Sequence, residues 1–203
     1  MSAEAIGLIS GVLVIISAIP YAIRTYQKKI QPSLTSWSLW ALLGLVILVT
    51  YDSSGAEANI WPAVFGFTNP TIIAILVRKQ QGMWLKPDKI EQACLVICVI
   101  SLGLWLGVRK NEFLAQYALY LAMIADGCAA IPTITRVWKD PTSDRPFAWG
   151  FFAIGYGMTM FAIEDRTFVN FALPTYMFLG GLSVSLPLAI YRWKNRIGWK
   201  EWI

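Results

Sequence analysis

One carboxylate, Asp126, stands in the middle of an apolar run with no other charge between Glu112 and Arg136. If that run crosses a bilayer, a charge at its centre costs about 2.5 to 3.5 kcal/mol on insertion scales, so the side chain must face a bundle interior or a water-filled cavity. Two roles fit. Asp126 could serve a solute or carry a proton, being the leading candidate for coupled transport in a chain with no histidine. A functional role is the first expectation; the structural alternative is a protonated Asp126 hydrogen-bonded to a neighbouring helix, since Ala122, Ala129 and Ala130 at helical spacing are small and allow close packing. Asn69-Pro70 sets an amide beside a break in the backbone ladder, the kind of interrupted helix that offers polar groups at a midplane site. Its structural alternative is an amide satisfying the carbonyl that Pro70 frees. Trp37, Trp40, Trp149, Tyr120, Tyr156 and Tyr176 lie in or at the ends of apolar runs and could stack on a flat or sugar-like ligand. Pro20 and Pro132 would act as hinges or as static kinks.

These residue types exclude other chemistry. With no histidine, no acid pair inside an apolar run and no Gly-x-Ser-x-Gly sequence, an enzyme is not expected. Cys94 and Cys98 sit at i,i+4 without a histidine or nearby acid pair, so they are read as small apolar filler rather than metal ligands. No metal and no cofactor is expected.

Such groups need elements to position them. The chain has 203 residues, 57% hydrophobic and only 14% charged. A spanning helix needs roughly 20 apolar residues because backbone groups in lipid must be satisfied within the segment. Between flanking charges the sequence offers seven such windows: Ala5 to Ile23, Ile30 to Tyr51, Ala58 to Val77, Gln92 to Val108, Phe113 to Thr135, Pro146 to Ile163, and Thr167 to Tyr191. The expectation is an all-α, multi-pass integral membrane protein of seven transmembrane helices. The first window lacks a basic n-region and is longer than a usual signal h-region, so it is read as a retained helix.

Basic residues stay on the cytoplasmic side. One set of loops and the tail carries Arg24, Lys28, Lys29, Arg78, Lys79, Lys86, Lys89, Arg136, Lys139, Arg145, Arg192, Lys194, Arg196 and Lys200, which is 14 of the 17 basic residues. Only Arg109, Lys110 and Arg166 lie opposite, with Glu4, Asp52, Glu57, Glu164 and Asp165. The N-terminus is therefore expected outside and the C-terminus in the cytoplasm, in a prokaryotic plasma membrane. The net charge of +5 is spread over short loops, with no basic stripe between aromatics, so no nucleic-acid partner is expected. Trp84, Trp138, Trp193, Trp199 and Trp202 read as interfacial anchors.

Shifting the sequence by 112 residues lays windows one to three on windows five to seven. Ala18-Ile19-Pro20 falls on Ala130-Ile131-Pro132, Arg24 on Arg136, Trp37 on Trp149, Ala41 on Ala153, Asp52 on Glu164 and Pro62 on Pro174. Matched prolines imply matched bends. The fourth window has no counterpart, and an odd helix is what brings a second three-helix copy into parallel orientation.

The stretch Ala18-Ile19-Pro20-Tyr21-Ala22-Ile23-Arg24-Thr25-Tyr26-Gln27-Lys28-Lys29, followed by Leu34-Thr35-Ser36-Trp37, resembles the first helix and loop of the PQ-loop superfamily, which includes the SWEET sugar transporters. Ile131-Pro132-Thr133-Ile134-Thr135-Arg136-Val137-Trp138-Lys139 resembles its second copy. The family's Pro-Gln pair stands here as Pro20-Tyr21 and Pro132-Thr133. Its substrate-contacting asparagine matches Asn69 in the first unit, where the second has Gly181. The resemblance implies two parallel three-helix bundles joined by a linker helix: a first repeat over 1–80, a linker over 81–111, and a second repeat with the tail over 112–203. It also implies transport of a small polar, sugar-like solute by alternating access through a central cavity. Nicotinamide riboside carriers share a similar plan, and Trp37 with Trp40 resembles their tryptophan-rich second helix, so a vitamin, nucleoside or amino-acid carrier is the nearest alternative. A sorting receptor or scaffold is the alternative of another class. A retinal protein is excluded by the absence of lysine between Thr167 and Tyr191. Expected partners are a small polar solute and the lipid bilayer, with a homo-oligomer left open.

Overall fold

The computed structural model describes residues 2–28, 33–55, 60–81 and 86–203. Lys29, Glu57, Trp84 and the window boundaries Ile30 and Ala58 lie outside the described residues. Among those described there are seven α-helices and no strand: α1 (Ala3–Tyr26), α2 (Leu34–Ser53), α3 (Trp61–Gln81), α4 (Lys89–Val108), α5 (Glu112–Lys139), α6 (Pro146–Thr159) and α7 (Phe168–Lys194). Local chemistry explains several of the starts. Ser2, Ser33, Asp88 and Asn111 accept from backbone N–H groups three residues on, and Asp88 with Glu91 forms a reciprocal capping box. Pro146 begins α6, where its missing N–H costs nothing.

Five helices, α1, α2, α4, α5 and α7, are long and apolar enough to cross a membrane. The other two windows correspond to shorter or more polar elements. Thr68-Asn69-Pro70-Thr71 interrupts α3 with polar residues, and α6 has 14 residues continued by a 3-10 turn over Met160–Ala162. α5 runs past its window to Lys139, so Arg136 and Lys139 occupy its last turn.

α3 packs against α1 and α2, while α7 packs against α5 and α6. α1 lies on α6 and α2 on α5; α4 lies on α5 and α2. The central core joins Leu43, Ile47 and Tyr51 of α2 to Leu119 and Ala122 of α5, with Cys94, Cys98 and Leu173 packed in. Both cysteines are buried filler in this cluster, as their setting suggested. α4 is further tied by Ser101 Oγ donating to Ala118 O at 2.7 Å and Trp105 Nε1 donating to Ser53 Oγ at 2.9 Å.

Two glycines set helix separation. A Cβ on Gly44 would lie 2.8 Å from Gly66 O and 2.9 Å from Phe67 Cα, and one on Gly155 would lie 2.9 Å from Ser10 O. Backbones therefore touch where α2 crosses α3 and where α6 crosses α1, as small residues permit.

Candidate solute-binding site

Asp126 is held by a neighbour rather than left to solvent. Tyr176 of α7 donates its hydroxyl to Asp126 Oδ2 at 2.7 Å, fixing the carboxylate across the α5–α7 contact. Asn69 donates Nδ2 to Val14 O on α1 at 2.8 Å, with Ser17 Oγ bonding the same carbonyl at 2.6 Å. The amide thus ties α3 to α1; it does not serve the Gly66 carbonyl that Pro70 frees. Tyr156, 1% exposed, donates to Pro62 O at 2.7 Å and joins α6 to α3.

These groups surround a cavity of about 150 Å³ between the helices. Of the sequence candidates, Asn69, Asp126, Trp37, Trp40, Trp149, Tyr156 and Tyr176 line it together. Tyr120 does not. It lies on α5 with its ring against Phe168 at 5.6 Å and Tyr117 at 6.4 Å. Six residues from Asp126 is roughly 240° around a helix, so the two cannot share a face.

A second space of about 850 Å³ adjoins the first, and Tyr21, Trp37, Trp40, Thr133, Ala148 and Trp149 line both. They form the neck between an inner chamber and an outer vestibule. Aromatic rings run along this neck: Tyr21 to Trp37 at 4.9 Å, Trp37 to Trp40 at 5.2 Å, Trp40 to Trp149 at 6.3 Å, and on through Phe152 to Tyr156. The hinge candidates Pro20 and Pro132 line the vestibule with Arg24, Arg136, Asp144 and Arg145.

The wall of the vestibule is built from the α5–α6 loop and the C-terminal segment. Trp149 Nε1 donates to Asp144 Oδ2 at 3.1 Å. Thr142 bonds Asp140 through its backbone N–H at 3.0 Å and through its hydroxyl, holding the Asp140 carboxyl below the usual carboxylate range. Arg192, 4% exposed, donates to Glu201 O at 2.7 Å, Asp144 O at 2.7 Å, Pro141 O at 2.9 Å and Leu188 O at 3.2 Å. Arg145 pairs with Glu201 at 2.8 Å and donates to Lys200 O and Ile203 O. Lys200, Glu201 and Ile203 are in turn part of the vestibule lining.

Sequence reasoning missed Tyr21, Ser17, Thr133 and Phe152 in the chamber. The signal was present in the 112-residue offset. It pairs Tyr21 with Thr133 and Trp40 with Phe152, as it pairs Trp37 with Trp149. Gly181, the counterpart of Asn69, also lines the chamber, but a Cβ there would lie 2.9 Å from Ala153 Cβ. α7 packs on α6 where the first unit offers an amide. Trp138 has a local duty beyond anchoring, since its Nε1 donates at 2.9 Å to Ser183 O, the carbonyl freed by Pro187.

No protein-family model matches the chain, and searches of curated proteins and of solved structures find no match.

Proposed function

We propose that this chain is a seven-span membrane carrier for a small polar metabolite, working by alternating access through the chamber. Two parallel three-helix units, α1–α3 and α5–α7, would flank it, with α4 as the linker. Exchanging the two units carries the main helix packings outside α4 onto one another: α1 on α3 becomes α5 on α7, α2 on α3 becomes α6 on α7, and α1 on α6 becomes α5 on α2, while among the described residues α4 packs on α5 and α2 alone.

The observation that carries the reading is the symmetry of the lining. Ala18 with Ala130, Tyr21 with Thr133, Trp37 with Trp149, Trp40 with Phe152, Gly44 with Tyr156, Phe65 with Met177 and Asn69 with Gly181 are all related by the 112-residue offset, and together they make 14 of the 25 lining residues. In the vestibule Pro20 with Pro132 and Arg24 with Arg136 follow the same rule. A cavity lined by equivalent positions of two repeats is what a carrier built from parallel repeats needs, because its ligand must be passed between units that move against each other.

The two ends of the cavity differ. It widens toward the end bearing Arg24, Arg136 and Arg145, read as cytoplasmic by the excess of basic residues. At the other end the Tyr156–Pro62 bond and the Gly155–Ser10 approach close it. This corresponds to an inward-open state, and rocking of the α1–α6 contact would open the far side.

The test is uptake into proteoliposomes of labelled glucose, nicotinamide riboside, lysine and choline. At least one should enter faster than into protein-free liposomes, with Asp126→Asn and Asn69→Ala slowing entry. If no solute of the panel moves, the carrier reading fails. If uptake survives both substitutions unchanged, the site assignment fails. A receptor on the same helices would instead bind a peptide without solute flux.

A further inference from the structure

The chamber's inventory of polar groups points to the class of ligand, an inference that rests on reading the chamber as a solute site. Most of its hydrogen-bond donors are already committed to protein acceptors. Asn69 Nδ2 and Ser17 Oγ bond Val14 O, Tyr156 bonds Pro62 O, and Tyr176 bonds Asp126. A polyhydroxylated sugar would leave many of its own hydroxyls unpaired among aromatic rings, and each unpaired buried polar group is costly.

Besides the Thr133 hydroxyl and the Trp40 indole N–H, two larger features are left for a ligand. The first is the Asp126 carboxylate, for which the lining residues supply a hydroxyl partner but no Lys or Arg. The second is the set of aromatic faces formed by Tyr21, Trp37, Trp40, Trp149 and Phe152. A carboxylate and aromatic rings that line one chamber satisfy one kind of guest from two sides: the ring quadrupoles attract a cation, and the same cation neutralises the buried carboxylate. The vestibule does not supply this selectivity, because Arg24, Arg136, Arg145 and Lys200 outnumber Asp144 and Glu201 there. Discrimination must therefore occur inside the neck.

We propose that the chamber binds a flat organic monocation, with Asp126 as its counter-ion, Tyr176 as the residue that positions Asp126, and the neck aromatics as the stacking surface.

The test is equilibrium dialysis of the full chain in detergent against labelled benzyltrimethylammonium, with benzyl alcohol and glucose as neutral competitors. Binding should saturate at one site per chain, and neither competitor at equal concentration should displace it. Asp126→Asn should weaken it at least about tenfold, the scale of a lost desolvated cation contact. Tyr176→Phe, which keeps the carboxylate but frees its orientation, should weaken it by a smaller factor, and Asp126→Glu should retain most of it. An unchanged affinity in a well-folded Asp126→Asn protein, displacement by glucose, or an absence of saturable binding would each overturn the proposal. Saturable cation binding without flux in proteoliposomes would sink the carrier and leave the cation site standing. Flux of a neutral solute with no cation binding would do the reverse.

Discussion

Gly155→Ala tests the packing on which the closed end of the chamber depends. The added methyl would sit 2.8 Å from Val14 Cγ2, 2.9 Å from Ser10 O and 3.2 Å from Val14 N. Two of those three neighbours are backbone atoms of α1, so no rotamer change relieves them, and α1 and α6 must separate by several tenths of an ångström. Overpacking of this kind costs about 1 to 3 kcal/mol. For a chain of this size each kcal/mol moves the melting temperature by about 2 to 4 °C, so the expected fall is roughly 2 to 12 °C. Gly103→Ala on α4 is the control, because its Cβ would meet nothing within 4 Å. Removing an unneeded helical glycine should stabilise by about 0.5 to 1 kcal/mol, so the two substitutions should have opposite signs. The assay is thermal unfolding of both variants and the parent in one detergent, followed by tryptophan emission. If Gly155→Ala melts at or above the parent while remaining monodisperse, the α1–α6 contact is not as described.

Further outcomes follow from other contacts. Arg192→Met removes the donor to carbonyls in three segments and should cost at least about 3 kcal/mol. Limited trypsin digestion should then cut near Arg196 and Lys200 well before it cuts the parent. Trp138→Phe should cost about 1 kcal/mol by orphaning Ser183 O. In a Pro187→Ala background, where residue 187 regains its N–H, a double-mutant cycle should find that cost largely gone. Arg145→Gln breaks the partly solvated pair with Glu201 and removes the donor to Lys200 O and Ile203 O, and should cost about 1 to 2 kcal/mol.

The number and order of the helices were legible in the sequence because charges punctuate apolar runs, but the ends were not, since α5 runs on through Arg136 to Lys139 and α6 stops at Thr159. Asp126 and Asn69 stood out because a polar group inside an apolar run is expensive wherever it points. The aromatics were less legible. Helical spacing alone separates Tyr120 from Asp126, whereas Ala130 and Thr133, four and seven residues beyond Asp126, share its face and line the chamber. Arg192 looked like one more basic residue of a cytoplasmic tail. Its acceptors belong to residues 141, 144, 188 and 201, and only the tertiary fold brings those carbonyls together. The same holds for Gly44 and Gly155, whose need for a missing side chain depends on which helix crosses there. Tyr21 is the instructive omission: the 112-residue offset had already paired it with Thr133, beside Pro20 and Pro132.

Passage of solute through the chamber can be tested at Ala148, which lines both the chamber and the vestibule. A single cysteine would be placed there in a chain whose Cys94, Cys98 and Cys128 are replaced by alanine. An impermeant maleimide is then added to either face of vesicles, and solute counterflow is measured before and after labelling. Labelling is expected only from the face bearing the Arg24 and Arg136 loops, with loss of counterflow once labelling is complete. Complete labelling with undiminished flux, or labelling only from the face bearing Asp52 and Glu164, would contradict this route.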